Sequence, residues 1–358
     1  MKILYAIQGT GNGHISRARA IIPELCRHGE VEVLVSGTQA EVALDYPVKY
    51  RLKGLGFIFG KSGGIDLMAT YRKNKIRRFK KEVAELPVAA YDVVISDFEP
   101  VSAWACMQKG KACIGLSHQA AVLNAHAPQP AKKDRVGTAF LKYYAPASRY
   151  YGFHFQAYDD GIFTPVIRDG VRRRMPAEEG HYTVYLPAYS DQKIVAVLSQ
   201  FPEVQWDVFS KHARDFRQHE NIVIRPIHDN SFLHSMAQSK GVLCGAGFEA
   251  PAEALFLKKK LLVIPMKGQY EQHCNAAALQ DMGVRVIRKL GDTAAVAAWL
   301  EDDRLIAVDY PDNTAAIIDR VMTDHEADMQ QSLQAEMPHA EKFKRSMLQK
   351  MVAAYLGK

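Results

Sequence analysis

Two stretches of this chain hold side chains whose spacing suits chemistry more than packing. The first, QGTGNGHISRA at residues 8–18, sets Gly9, Gly11 and Gly13 ahead of His14. Glycines at the mouth of a helix let a ligand approach the main chain. An imidazole at the start of a helix is disfavoured as a cation, so it stays neutral and able to take a proton. Asp97 closes the apolar run DVVIS, and an aspartate bonded to one imidazole nitrogen fixes the tautomer and stabilises the cation formed at the other. His14 with Asp97 therefore reads as a general base and its orienting acid. The plainer alternatives are a helix-capping histidine at 14 and a helix N-cap at Asp97, ahead of EPVSAWA. His118, beside Gln119 after the run ACIGLS, is the rival base on the same side of the site.

The second stretch, residues 245–275, reads GAGFEAPAEALFLKKKLLVIPMKGQYEQHCN. A turn at Gly245, Ala246 and Gly247 offers close approach and positive φ, followed by a helix whose N-terminus faces an anion. Pro251 suits the first helical turn, and Glu253 lies within reach of a ribose diol. Beyond the strand LLVIP, Glu271, Gln272 and Asn275 supply acceptors and donors for hydroxyls. Together these groups describe a cradle for a nucleoside diphosphate joined to a sugar. A dinucleotide fingerprint fits the first loop less well. GxGxxG would need glycine where His14 stands, and the second strand VEVLVS ends at Ser36 and Gly37 without a ribose-binding acid. A P-loop is excluded because no GK[ST] follows.

The elements that must position these groups alternate in a regular rhythm. KILYAI, VEVLVS, DVVISD and ACIGLS are short apolar runs separated by helical patterns. A second series runs YTVYLP, VQWDVFS, NIVIRPI, GVLCGAG, KLLVIPM and VRVIRK. That alternation predicts an α/β chain with parallel sheets covered by helices. We assign residues 1–163 to an acceptor-side Rossmann-like domain and 164–181, rich in proline, glycine and mixed charge, to a linker. Residues 182–338 form a second Rossmann-like domain. Residues 339–358, with Phe343, Met347, Met351 and Tyr355 at four-residue spacing, read as an amphipathic helix crossing back to the first domain.

Length and composition bound the function. At 358 residues the chain favours two domains, and 48% hydrophobic with 24% charged residues is a globular composition. Five cysteines, odd in number and without CxxC spacing, favour a reducing compartment and argue against structural zinc. MKILYAI is too short for a secretory segment, and no run approaches the ~20 apolar residues of a membrane span. The expected location is the cytoplasm, with attachment at the inner face of a membrane as an extension. The formal charge of +7 is matched by seven basic residues within YRKNKIRRFKK at 71–81, so the basicity is local. Arg72, Lys73, Lys75, Arg77, Arg78, Lys80 and Lys81 surround an apolar stripe of Ile76, Phe79, Val83 and Leu86, a surface for anionic lipid or a solvated face beside an acceptor cleft. The aromatic series Phe140, Tyr143, Tyr144, Tyr150, Tyr151 and Phe153 reads as an acceptor wall or as core. Nucleic-acid binding, the remaining reading of the charge, lacks any surrounding fold signature.

Taken together, GTGNGH, VISDFEP, SHQ at 117–119, and GFEAPAEAL with EQHCNA resemble GT-B glycosyltransferases. The resemblance is to the group holding the UDP-glucuronosyl and plant secondary-metabolite transferases and the N-acetylglucosaminyltransferase that forms lipid II. It spans nearly the whole chain and implies two facing Rossmann-like domains. It further implies Gly11, Asn12, Gly13 and the Gly245–Gly247 turn near the diphosphate, Glu253 on ribose, Glu271 and Gln272 on sugar hydroxyls, and Ile227 against the base through its backbone. Two departures stand out. The plant group's tryptophan, histidine and serine cluster is missing, and Glu271 stands where aspartate is usual. The implied reaction is an inverting, metal-independent transfer from a nucleotide sugar, a UDP-sugar by preference, to a hydroxyl acceptor of lipid or cell-envelope type, without a cofactor. A non-hydrolysing nucleotide-sugar epimerase shares this architecture and is the alternative enzyme.

Overall fold

The computed structural model describes residues 1–10, 12–37, 44–55, 76–132 and 134–334. Gly11, residues 71–75 of the basic segment and the helix expected at 339–358 lie outside them. Two seven-stranded sheets organise the chain. The first contains β1 (Lys2–Gln8), β2 (Glu30–Ser36), β3 (Val48–Leu52), β4 (Val93–Asp97), β5 (Ile114–Ser117), β6 (Arg149–Phe153) and β7 (Ile162–Phe163), in the order β3-β2-β1-β4-β5-β6-β7. All its pairings are parallel. The second contains β8 (His181–Tyr185), β9 (Gln205–Ser210), β10 (Arg217–His219), β11 (Ile222–Pro226), β12 (Gly241–Gly245), β13 (Lys260–Ile264) and β14 (Arg285–Val286), in the order β10-β11-β9-β8-β12-β13-β14. Among the described residues only the short edge strand β10 runs antiparallel.

The strand runs are apolar because both faces are covered. Every residue of β4 and β13 is buried, which is what a parallel sheet between helix layers demands. In each sheet the strand order reverses direction beside the first strand, between β1 and β4 and between β8 and β12. Such a switch point leaves a crevice at the C-terminal strand ends. The glycine loop follows β1, Asp97 ends β4, and Gly245 ends β12, so both motif stretches fall at switch points.

Helix Thr314–Gln334 turns its Ile317, Ile318, Val321 and Met322 into the same apolar cluster as Ile15, Ile21 and Ile22 of the first helix, Asn12–Cys26. Arg149 reaches Asp324 at 3.0 Å and Asp328 at 2.9 Å, and Arg320 reaches Asp160 at 2.7 Å. The return of the chain to the first domain is thus already made by this helix. The apolar stripe of the basic segment also has an internal destination. In helix Ile76–Glu85, Phe79 and Val83 are buried, followed by Leu86, against Trp104 and Leu141, while Ile76 stays exposed. Each such burial is worth about 1.5–3 kcal/mol, which fixes the basic face outward.

Candidate active site

Register brings His14 and Asp97 together. β1 pairs with β4 so that Ile7 lies opposite Asp97, two residues before the glycine loop begins. The next residue, Phe98, adopts φ 54°, a left-handed conformation that costs a non-glycine residue roughly 1–3 kcal/mol. Beyond this bend Glu99 caps helix Pro100–Lys109, accepting from the N–H of Val101 at 2.8 Å and of Ser102 at 2.6 Å. Since Glu99 takes the cap, Asp97 is not needed there and points at the first helix instead. Burial pushes the Glu99 carboxyl up from its ordinary value, against the pull of those donors.

His14 Nδ1 stands 2.8 Å from Asp97 Oδ1. Asp97 is fully buried, and Tyr5 donates its hydroxyl to Oδ2 at 3.4 Å. One residue that the sequence did not single out completes the group. Arg17, one helical turn after His14 and also buried, donates from Nη2 to Asp97 Oδ1 at 2.7 Å and Oδ2 at 2.9 Å, and from Nε to Oδ2 at 3.2 Å. Burial works against the Asp97 charge, yet the Arg17 cation and His14 hold its carboxyl below the ordinary carboxylate value. Arg17 also donates from Nη1 to Glu249, in the first turn of helix Glu249–Phe256 of the second domain. A methyl group at Gly13 would lie 2.3 Å from Glu249 Oε2, so glycine lets that carboxylate seat where it does against the first turn of helix Asn12–Cys26.

The turn at 245–247 opens between β12 and this helix. Neither Gly245 nor Gly247 takes a positive φ, so left-handed backbone is not what glycine provides there. A side chain at Gly247 would meet nothing within 4 Å, and one at Gly245 would meet only Gln272 Oε1 at 3.7 Å and the Ile264 carbonyl at 3.9 Å. Ile227 follows Pro226 at the end of β11, on the same sheet edge.

Glu253 lies one turn into the helix and is buried. Arg168, from the linker, donates to it from Nε at 2.7 Å and from Nη2 at 3.2 Å. Its charge is therefore neutralised by a residue whose partner the sequence did not reveal. Across the cleft, Gln119 Nε2 donates to Glu271 Oε2 at 3.1 Å. Gln272 Oε1 receives the Met266 N–H at 2.9 Å, bracing the loop before helix Tyr270–Asp281. Asn275 is buried and divides its amide between His118 Nε2 at 2.7 Å and the Ala246 carbonyl at 3.1 Å. His118 Nδ1 meets the Phe153 carbonyl at 2.7 Å, and the ring stacks on Phe248 with centroids 4.0 Å apart. Both of its nitrogens are thus engaged, Nε2 in a bridge between the domains and Nδ1 within the first. Burial lowers the His118 pKa from the ordinary imidazole value, against Glu271 and Glu249 nearby. The structure brings His14 and Asp97 together with Gly13 and Glu249, and sets His118, Gln119, Glu271 and Asn275 in a second contact.

A cavity of about 920 Å³ lies on the face of the first sheet opposite the first helix. Phe98, Met107, Leu123, Leu141 and Tyr143 contribute to its mainly apolar lining, and Gln119 lines it too. Gln119 Oε1 is buried there with no hydrogen-bond partner among the described residues. Of the aromatic series, Tyr143 and Tyr150 face this cavity, Phe140 and Tyr144 pack on Phe98, and Tyr151 and Phe153 belong to the core. Among the described residues no group of three or more His, Cys, Asp or Glu is placed to hold a metal ion, and no helix is long and apolar enough to cross a membrane.

Comparison with known proteins agrees with this architecture. The family model described as glycosyl transferase family 1 matches residues 1–302. Among solved structures, Arabidopsis thaliana UGT89C1 complexed with UDP is 12% identical, with a TM-score of 0.56, covering 98% of this chain and 99% of that one. The glycotransferase of kitacinnamycin is 15% identical at a TM-score of 0.55, covering 99% of this chain and 97% of that one. SsfS6, a Streptomyces sp. SF2575 glycosyltransferase, is 12% identical at 0.54, covering 91% and 96%. A search of curated proteins by sequence found no match. With two parallel-dominated sheets facing one cleft and a family match over most of its length, the chain belongs to glycosyl transferase family 1 and is a glycosyltransferase of the GT-B fold.

Proposed function

We propose that the protein is an inverting, metal-independent glycosyltransferase that moves a sugar from a UDP-sugar to a hydroxyl on an apolar acceptor. The observation that carries this reading is the 2.8 Å contact of His14 Nδ1 with Asp97 Oδ1 beside a glycine loop that touches the donor-side helix. With Nδ1 bonded to Asp97, Nε2 takes the proton of the acceptor hydroxyl. The oxygen attacks the anomeric carbon from the face opposite the diphosphate, whose C–O bond breaks with both electrons leaving on UDP. The anomeric configuration inverts, and Asp97 stabilises the imidazolium. The N–H groups at the start of helix Glu249–Phe256 and the Arg17 cation stabilise the departing diphosphate.

Glu253, a carboxylate held by Arg168 one turn into helix Glu249–Phe256, suits the ribose diol as a hydroxyl acceptor. The UDP in the UGT89C1 complex supports uracil as the base. The cavity beside Gln119 suits the apolar body of the acceptor, and the unpartnered Oε1 suits a hydroxyl on it. The outward basic face of helix Ile76–Glu85, with Arg77, Lys80 and Lys81 exposed, suits a membrane-borne acceptor.

Thermal shift against UDP, UDP-sugars, other nucleoside diphosphates and NAD tests the donor. UDP at about 100-fold its Kd should stabilise the fold by ~2.7 kcal/mol. Stabilisation by NAD but by no nucleoside diphosphate would overturn the reading.

A further inference from the structure

Arg17 serves two carboxylates from opposite domains. Asp97 takes its Nε and Nη2 side, and Glu249 takes Nη1. Asp97 is fully buried and fixed by Tyr5 and His14 as well, whereas a quarter of the Glu249 side chain is exposed. The cation therefore meets a fully buried partner on one side and a partly exposed one on the other. Glu249 also sets its carboxylate against the first turn of helix Asn12–Cys26, where a Gly13 side chain would collide with it. An anion seated against a glycine backbone and a guanidinium meets the recognition chemistry of a phosphate oxygen, which Arg binds at least as well as a carboxylate.

The inner side of Arg17 matters for the base. His14 Nδ1 has two neighbours, Asp97 Oδ1 at 2.8 Å and Arg17 Nη2 at 3.1 Å. One ring nitrogen cannot serve both. Carrying its hydrogen, Nδ1 donates to Asp97 and faces a second donor in Arg17; carrying a lone pair, it accepts from Arg17 and faces a second acceptor in Asp97. Base chemistry at Nε2 needs the first arrangement, so an Arg17 held close to Nδ1 opposes the competent tautomer.

We propose that the donor diphosphate exchanges with Glu249 on Arg17, and that this exchange turns Nη2 away from His14 while Nε stays on Asp97, settling the ring as the Nδ1–H tautomer. Glu249 is then an internal competitor for the diphosphate position, and Arg17 is a positioning residue that makes the base competent only when donor is bound. The ring keeps the same number of protons throughout; one moves from Nε2 to Nδ1 by exchange with solvent. The inference rests on the donor reading above and adds to it an order of events.

Calorimetry on the full chain separates the two. Glu249→Gln keeps the side-chain shape without the competing charge. It should tighten UDP and inorganic pyrophosphate by about tenfold, leaving uridine unchanged. Equal affinity of wild type and variant for UDP, or weaker binding by the variant, overturns the exchange and leaves the donor reading intact. Failure of UDP to bind either protein removes the donor reading and the exchange with it. Nitrogen-15 NMR of His14 gives a readout independent of turnover and of the Glu249 variant. Pyrophosphate added to wild type should shift the ring toward Nδ1–H, and Arg17→Lys, which keeps the charge but not the fork, should abolish the shift. A His14 tautomer that does not change while pyrophosphate binds overturns the proposal.

Discussion

His14 and Asp97 lie 83 positions apart in the chain and 2.8 Å apart in space, joined because β1 and β4 are neighbours at the switch point of the first sheet. Asp97 also holds the buried Arg17. Asp97→Asn should therefore lower kcat by roughly 10²–10⁴-fold through the wrong tautomer of His14. It should also lower stability by about 3 kcal/mol, since Arg17 then loses a charged partner. Urea denaturation alongside steady-state kinetics measures both. A variant that keeps its turnover would dissociate Asp97 from the base.

Glu253 is buried against Arg168 and is assigned to the ribose. Glu253→Gln should raise the Kd of UDP about tenfold, and should raise that of 2′-deoxy-UDP by less, because one of the two hydroxyl donors is already missing. Equal losses for the two ligands, measured by calorimetry, would take ribose away from Glu253.

Burial lowers the pKa of His118, so the folded chain binds its proton less readily than the unfolded one. The unfolded chain then carries the greater proton count as the pH falls, and folding stability drops with it. The contribution is complete above about pH 6.5 and diminishes below it. Thermal melts followed down from about pH 7.5 should show this decline, and His118→Gln should flatten it. An equally steep decline in the variant would assign the acid sensitivity elsewhere.

Helix Ile76–Glu85 buries Phe79 and Val83 in the core, so lipid contact there rests mainly on charge. Binding to anionic vesicles should weaken steeply with salt and vanish when Arg77, Arg78, Lys80 and Lys81 are neutralised together. Co-sedimentation unaffected by that change would remove this helix from any membrane contact.

The sheets were legible because a strand buried on both faces is a continuous apolar run, as DVVIS and LLVIP are. The glycine loop and the helix after β12 were legible from residue type. Partners were not. Arg17 and Arg168 resemble any solvated basic residue on a helix or in a linker until the fold sets them against Asp97 and Glu253. The cap at Glu99 depended on the left-handed bend at Phe98, which composition does not announce. Ile317, Ile318, Val321 and Met322 carry helical periodicity in plain view, yet periodicity does not say which domain a face will meet.

The most direct test follows UDP-sugar and candidate hydroxyl acceptors by proton NMR with wild type and His14→Ala. UDP release should require an acceptor, the product should have the anomeric configuration opposite to the donor, and His14→Ala should lose roughly 10²–10⁴-fold in rate while binding UDP as tightly as wild type. Conversion of the donor sugar without an acceptor, retained configuration, or undiminished transfer by His14→Ala would contradict the account.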